Sequence, residues 1–142
     1  MSVASTSHTT WSGDLTSGSG HTSLESSGAA DFDINWKSRS AGGGSAVTPE
    51  ELLAAAHSSC YAMALSNALG ENGTPPTELS VGAVVNFQPG EGVLSSALTV
   101  VGEVPGLDAD AFATFAEDAN ANCPVSQALA GIAITLDNVT LM

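Results

Sequence analysis

Basic side chains are nearly missing from this chain of 142 residues: Lys37 and Arg39 are the only two, against fifteen acids, for a formal net charge of −13. Such a surface is a poor partner for nucleic acid or for an anionic membrane, because both bind through neutralised phosphates. Only two cysteines occur, Cys60 and Cys123. That excludes a multi-disulfide scaffold, and the lack of a C-x-x-C pair weakens any zinc reading. No window approaches the roughly 18 uninterrupted apolar residues of a membrane span. The first residues, Met1 to His8, carry neither a basic start nor an apolar run, so the expectation is a cytoplasmic protein without a secretory leader. Aromatics are scarce at 5%, and the core must be built from Ala, Val and Leu.

What is present is apolar and periodic. Apolar residues make up 43% of the chain, so high charge does not mean disorder here. The acids are scattered rather than gathered in a tail. Self-repulsion of this size destabilises a compact state, and molar salt, with a screening length of about 3 Å, removes it. Near-absence of lysine with many small residues therefore reads as adaptation to a salty cytoplasm, and a halophilic source is expected.

The length fits a single domain over 1–142. In the Ser/Gly/Thr-rich first third, Trp11 to Leu15 and His21 to Glu25 read as strands joined by a turn at Gly18-Ser19-Gly20. Asp33 to Trp36 starts a third strand, with Arg39 at or just past its end. Ala41 to Ser45 is a flexible loop; no Gly-Lys-Ser/Thr follows, so it is not a phosphate loop.

Residues 48–70 predict a long helix. Thr48 is the N-cap, Pro49 the first helical residue, Glu51 the partner of a capping box, and Gly70 the terminator. Leu52, Leu53, Ala56, Cys60, Met63 and Ala64 recur at helical spacing. The other face is Ala and Ser, which predicts a helix buried on more than one side, against a sheet and a second subunit. Strands follow over 79–87 and 93–104, around a loop at 88–92. A helix capped by Asp108 or Asp110, a short helix from Cys123-Pro124 to Leu129, and a last strand over 132–141 complete an α+β chain.

The candidate chemistry is that of thiols. A peroxide-reducing cysteine must be a thiolate, and burial in an apolar helix opposes ionisation. Arg39 is the forked cation that could offset this for Cys60 and polarise the peroxide. Once Cys60 is a sulfenic acid, Cys123 is the other thiol able to condense with it. Glu50 is the candidate carboxylate to orient Arg39. It precedes Cys60 by ten residues, about 15 Å along one helix, so it cannot touch Cys60 of its own helix. If it serves a thiol site, that site belongs to a neighbouring chain, and a homodimer with shared sites is expected. Two other classes fit the same residues: a redox-sensing or small-ligand module without turnover, and a zinc site from His57, Cys60 and Cys123, which lacks a ligand loop. His57 is expected as a packed helix residue.

The run from Thr48-Pro49-Glu50-Glu51-Leu52-Leu53 through His57-Ser58-Ser59-Cys60 to Ser66 resembles the signature helix of the OsmC/Ohr proteins. Asn122-Cys123-Pro124-Val125-Ser126-Gln127-Ala128-Leu129 resembles their second cysteine segment. Trp11-Ser12-Gly13-Asp14 and Ile134-Thr135-Leu136-Asp137 fit as well, so the likeness covers nearly the whole chain. His57 before Cys60, and Arg39 shortly before the helix, place it nearer the OsmC branch. The resemblance implies antiparallel sheets around a central buried helix in an intertwined α+β homodimer. It implies a thiol-dependent peroxidase acting on organic hydroperoxides and hydrogen peroxide in oxidative stress. Cys60 would be peroxidatic, Cys123 resolving, and Arg39 and Glu50 the polar pair. No bound cofactor is implied; the electrons come from an external dithiol, of lipoyl type by resemblance.

Overall fold

The computed structural model describes residues 1–142, which divide into two compact units, Met1–Pro49 and Glu50–Met142. No helix is long and apolar enough to cross a membrane.

The first unit is a three-stranded antiparallel sheet of β1 (Ser7–Ser12), β2 (Ser19–Leu24) and β3 (Asp31–Ile34), followed by a short helix α1 (Trp36–Ala41). The β1–β2 connection lies earlier than the sequence suggests. Trp11 and Ser12 end a strand that begins at Ser7, and Gly13 to Ser17 turn the chain. Asp14 sets that turn: its Oδ1 accepts from the Thr16 and Ser17 amides at 2.9 and 2.8 Å. An Asx turn of this kind outcompetes the glycines further on. Gly20 is needed where it stands in β2, since a Cβ there would sit 2.8 Å from the Trp11 ring and 3.0 Å from Ile34. The expected third strand also ends early. Asn35 is not strand but N-cap, its Oδ1 accepting from the Ser38 amide at 2.8 Å. Arg39 therefore lies within a helix, in its last turn, where its charge suits the helix dipole.

The second unit holds the core. The long helix α2 (Pro49–Glu71) carries a buried row of His57, Tyr61, Leu65 and Leu69, spaced by four. One expectation is corrected here. Ala56 is exposed and Met63 is 67% exposed, so the apolar stripe runs along a different face. Within one chain, Ala55, Ser59 and Ser66 of the helix face outward. A helix that is apolar or small nearly all round has no strong phase, and its bulkiest members choose the buried face. Gly70 does not stop the helix. Gly73, at φ +79°, does so, with its amide bonded to the Gly70 carbonyl at 3.0 Å and the Thr74 amide to that of Leu69.

The remaining elements are β4 (Glu78–Gln88), β5 (Gly92–Glu103), α3 (Ala109–Asn122), α4 (Pro124–Ala128) and β6 (Ala133–Leu141). The sheet order is β4-β5-β6. β4 and β5 form the expected antiparallel hairpin, but β6 runs parallel to β5, which corrects the expectation of purely antiparallel sheets. The cause is the intervening helices. A crossover of this length returns the chain in the same direction, as a two-residue turn cannot. Asp108 caps α3 by accepting from the Ala111 amide at 2.8 Å, worth about 1 kcal/mol. Leu98, Val100 and Val104 pack with Tyr61, Leu65, Leu69, Phe112, Ala116, Ala119 and Cys123. Gly102 admits the Phe112 ring, which a Cβ there would approach to 2.5 Å. The Tyr61 hydroxyl donates to the Ala116 carbonyl at 2.9 Å, tying α2 to α3.

Candidate functional site

Cys60 and Cys123, 63 positions apart in sequence, meet in the second unit; both are free thiols, Cys60 half-buried and Cys123 fully buried. Cys123 sits at the joint of two helices. Its amide donates to the Ala119 carbonyl at 2.8 Å and closes α3, while its own carbonyl accepts from the Gln127 amide at 3.0 Å and opens α4. Pro124 makes that restart possible, because the first helical position needs no amide hydrogen. The restart turns the amides of Val125 and Ser126 toward the two sulfurs.

These surroundings act on the two thiols in opposite directions. Burial pushes the Cys60 thiol up; the Val125 amide opposes this, and the adjoining Cys123, as hydrogen-bond partner and as charge, adds to it. Burial pushes Cys123 up as well. The Ser126 amide, the Cys60 thiol, the Ser126 hydroxyl and the Val125 amide together outweigh it, and Cys123 ends below the ordinary thiol value. The two thiols thus titrate as one coupled pair, and the first proton lost belongs to the pair rather than to either sulfur.

His57 is buried one turn before Cys60. Its Nδ1 lies 2.6 Å from Ser96 Oγ and its Nε2 lies 2.8 Å from Ser126 Oγ. Burial holds the ring below the ordinary histidine value, so it is neutral at pH 7. Both ring nitrogens are engaged by hydroxyls, and no group of three or more His, Cys, Asp or Glu is arranged to hold a metal ion. Ser126 Oγ also reaches Asn120 Oδ1 at 3.0 Å. Sequence reasoning had no place for Ser96, Ser126 or Asn120 in the site. Ser96 did leave a signal, as a hydroxyl on the same face of β5 as Leu98 and Val100.

The other expected residues are divided between the two units. Glu50 is buried in the first turn of α2, ten residues from Cys60 on one continuous helix, and is not brought to it. Arg39 belongs to the first unit. It lines an open cavity of ≈ 100 Å³ with Trp11, Leu15, Ile34, Asn35, Trp36 and Pro49. Lys37 is exposed on α1.

Residues 42–137 match the family described as OsmC-like protein. The chain is 39% identical over 130 residues to peroxiredoxin OsmC of Escherichia coli, covering 89% of this chain and 90% of that one. Among solved structures, the organic hydroperoxide resistance protein OhrB of Bacillus subtilis superposes with a TM-score of 0.68 at 25% identity, covering 96% of this chain and 98% of that one. An OsmC-like protein of Mycoplasma pneumoniae, at 14% identity, shares the fold with a TM-score of 0.73 over 100% and 99% of the two chains.

Proposed function

The chain belongs to the OsmC family, and on that premise we propose that it is a thiol-dependent peroxidase, reducing organic hydroperoxides and hydrogen peroxide with Cys60 as peroxidatic and Cys123 as resolving cysteine. The observation that carries this reading is the meeting of the two thiols, with the Val125 and Ser126 amides directed at them. The Cys60 thiolate attacks one peroxide oxygen. The O–O bond breaks, the alkoxide takes a proton and leaves as alcohol, and Cys60 becomes a sulfenic acid. Cys123 then attacks Cys60 Sγ, water leaves, and a disulfide forms. An external dithiol restores both thiols by exchange. No prosthetic group takes part in these steps.

For the first attack the negative charge of the thiol pair must rest on Cys60. Arg39 is the side chain assigned to draw the charge to Cys60, with Glu50 orienting an arginine. Since Glu50 cannot serve the Cys60 of its own helix, the reading includes a homodimer with composite sites. The small outward-facing residues of α2, Ala55, Ser59 and Ser66, support close approach by a second copy. The whole chain, 1–142, then works as one domain of a soluble, cytoplasmic enzyme.

Steady-state turnover of cumene hydroperoxide with a lipoyl-type dithiol tests the reading. Wild-type protein is expected to turn over, and the Cys60→Ser variant to fall to background. A wild-type protein whose thiols oxidise without turnover would instead be a redox sensor. For the composite site, mixing inactive Cys60→Ser chains with inactive Glu50→Ala chains should restore activity, because both lesions fall in one of the two sites. Chains that exchange yet stay inactive would refute sharing.

A further inference from the structure

Ser126 Oγ has one hydrogen to give and two groups that ask for it. Asn120 Oδ1 lies 3.0 Å away and can only accept. Cys123 Sγ, when ionised, also takes a hydrogen bond from this hydroxyl. The third neighbour, His57 Nε2 at 2.8 Å, decides whether that hydrogen is free at all. A neutral imidazole carries one N–H. Were the hydrogen on Nδ1, Nε2 would be a bare acceptor and would compete for the Ser126 hydrogen as well. With the hydrogen on Nε2, His57 donates to Ser126 and leaves that hydroxyl free to donate elsewhere. Ser96 fits this second arrangement. It is fully buried, lies 2.6 Å from Nδ1, and has in that nitrogen an acceptor for its own hydroxyl.

We infer that Ser96, His57 and Ser126 form a positioning relay in which the Ser126 hydroxyl hydrogen rests on Asn120 Oδ1 while Cys123 is a thiol and swings to Cys123 Sγ when Cys123 is a thiolate. No proton leaves Ser126 or His57 in this exchange; only the direction of one O–H changes. Its use rests on the peroxidase reading. In the condensing step Cys123 Sγ attacks Cys60 Sγ, the S–O bond breaks with its electron pair, and the hydroxide takes a proton and departs as water. In the reducing step an incoming dithiol thiolate attacks Cys60 Sγ, the S–S bond breaks, and Cys123 Sγ leaves with the pair. Both steps pass through a charged Cys123 sulfur, and a stabilised leaving thiolate departs faster. Asn120 and Ser126 line one open groove with Gln127, Ala130, Ile132 and Ile134, so the resting end of the relay lies beside solvent. The titratable side chains that bear on Cys123 are Cys60 and Tyr61 of α2, with His57 one hydroxyl away through Ser126; Glu117 of α3 bears on Tyr61.

The relay is tested without peroxide. In the Cys60→Ser background, thiolate absorbance near 240 nm reports the ionisation of Cys123 alone. Ser126→Ala should raise the midpoint by about one pH unit, a tenfold loss of thiolate at neutral pH. Ser126→Thr, which keeps a hydroxyl, should restore it. Asn120→Ala removes the competing acceptor and should lower the midpoint. Nitrogen-15 NMR of the imidazole should find the hydrogen on His57 Nε2 at neutral pH. An unchanged midpoint in Ser126→Ala, a raised one in Asn120→Ala, or a hydrogen on Nδ1 would each overturn the relay. If the midpoints move as expected while wild-type protein fails to turn over hydroperoxide, the relay stands and the peroxidase reading falls.

Discussion

The two units of this chain divide the work unequally. Glu50–Met142 contains both thiols, the buried histidine and the cluster of large buried apolar side chains, Tyr61, Leu65, Leu69, Leu98, Val100 and Phe112. Met1–Pro49 contains neither thiol, but it holds both basic residues of the chain, and β1 is exposed along its whole length. One unit is held by packing. The other relies on short-range polar devices: the Asp14 turn, the Asn35 cap, the Thr9–Thr22 hydroxyl bond and the His21 ring beside Asp31 and Asp33. Polar contacts as exposed as those of His21 contribute little. Stability thus belongs mainly to the unit that carries the sulfur chemistry, and scarce positive charge to the other.

The largest effect that would sharpen this division is on activity. Cys60→Ser should abolish peroxide reduction. Arg39→Ala should slow it by roughly 10²–10³, the usual loss when one donor to a developing charge is removed. Arg39→Lys should rescue poorly because the fork is lost. Stopped-flow peroxide consumption decides, and a near-normal Arg39→Ala rate would show that the thiol unit activates its own cysteine.

Next comes salt. With a net charge of −13, structure and activity should be lost as salt drops well below molar and screening lengthens. Circular dichroism across a salt series reads this, and a flat response down to dilute buffer would remove the halophilic inference. Packing follows. Phe112→Ala should cost about 3–5 kcal/mol, whereas Thr10→Ala in the exposed β1 should stay within about 0.5 kcal/mol. Denaturant melts that rank these two the other way would break the comparison.

Much of the thiol unit was legible because its signals are local. Asp108, Cys123-Pro124 and the alternation of β4 and β5 predict what the structure contains. The face of α2 was not legible, since a helix of Ala, Ser and Leu all round is phased only by tertiary contact, and Tyr61 and Leu65 rather than Met63 prevail. The direction of β6 depends on a crossover that periodicity does not encode. In the first unit the Asx turn at Asp14 and the cap at Asn35 were readable chemistry that nearby glycines and β-branched runs masked. The nearness of Cys60 to Cys123 agrees with the two motifs, but the network from Ser96 to Asn120 joins residues far apart in sequence and follows only from the fold.

The smallest effect is acid sensitivity. Burial holds the folded His57 below the unfolded value of about 6.5. Above that value both states are neutral and the stability is complete. As pH falls below it, the unfolded chain binds a proton that the folded ring resists, and stability declines. The loss should begin near pH 6.5 and be blunted in His57→Gln, as chemical melts between pH 5 and 8 would show. An equal decline in His57→Gln would assign it to other groups.

The pairing of Cys60 with Cys123 is the claim on which the rest depends, and its most direct test is stoichiometric. One equivalent of organic hydroperoxide is added to the reduced protein, free thiols are counted, and the product is mapped by mass spectrometry. The account predicts loss of both thiols and an intramolecular Cys60–Cys123 disulfide, with Cys123→Ser instead trapping Cys60 as a sulfenic or sulfinic acid. Peroxide consumed with Cys60 still a thiol, or with Cys123 left free in the wild-type chain, would contradict it.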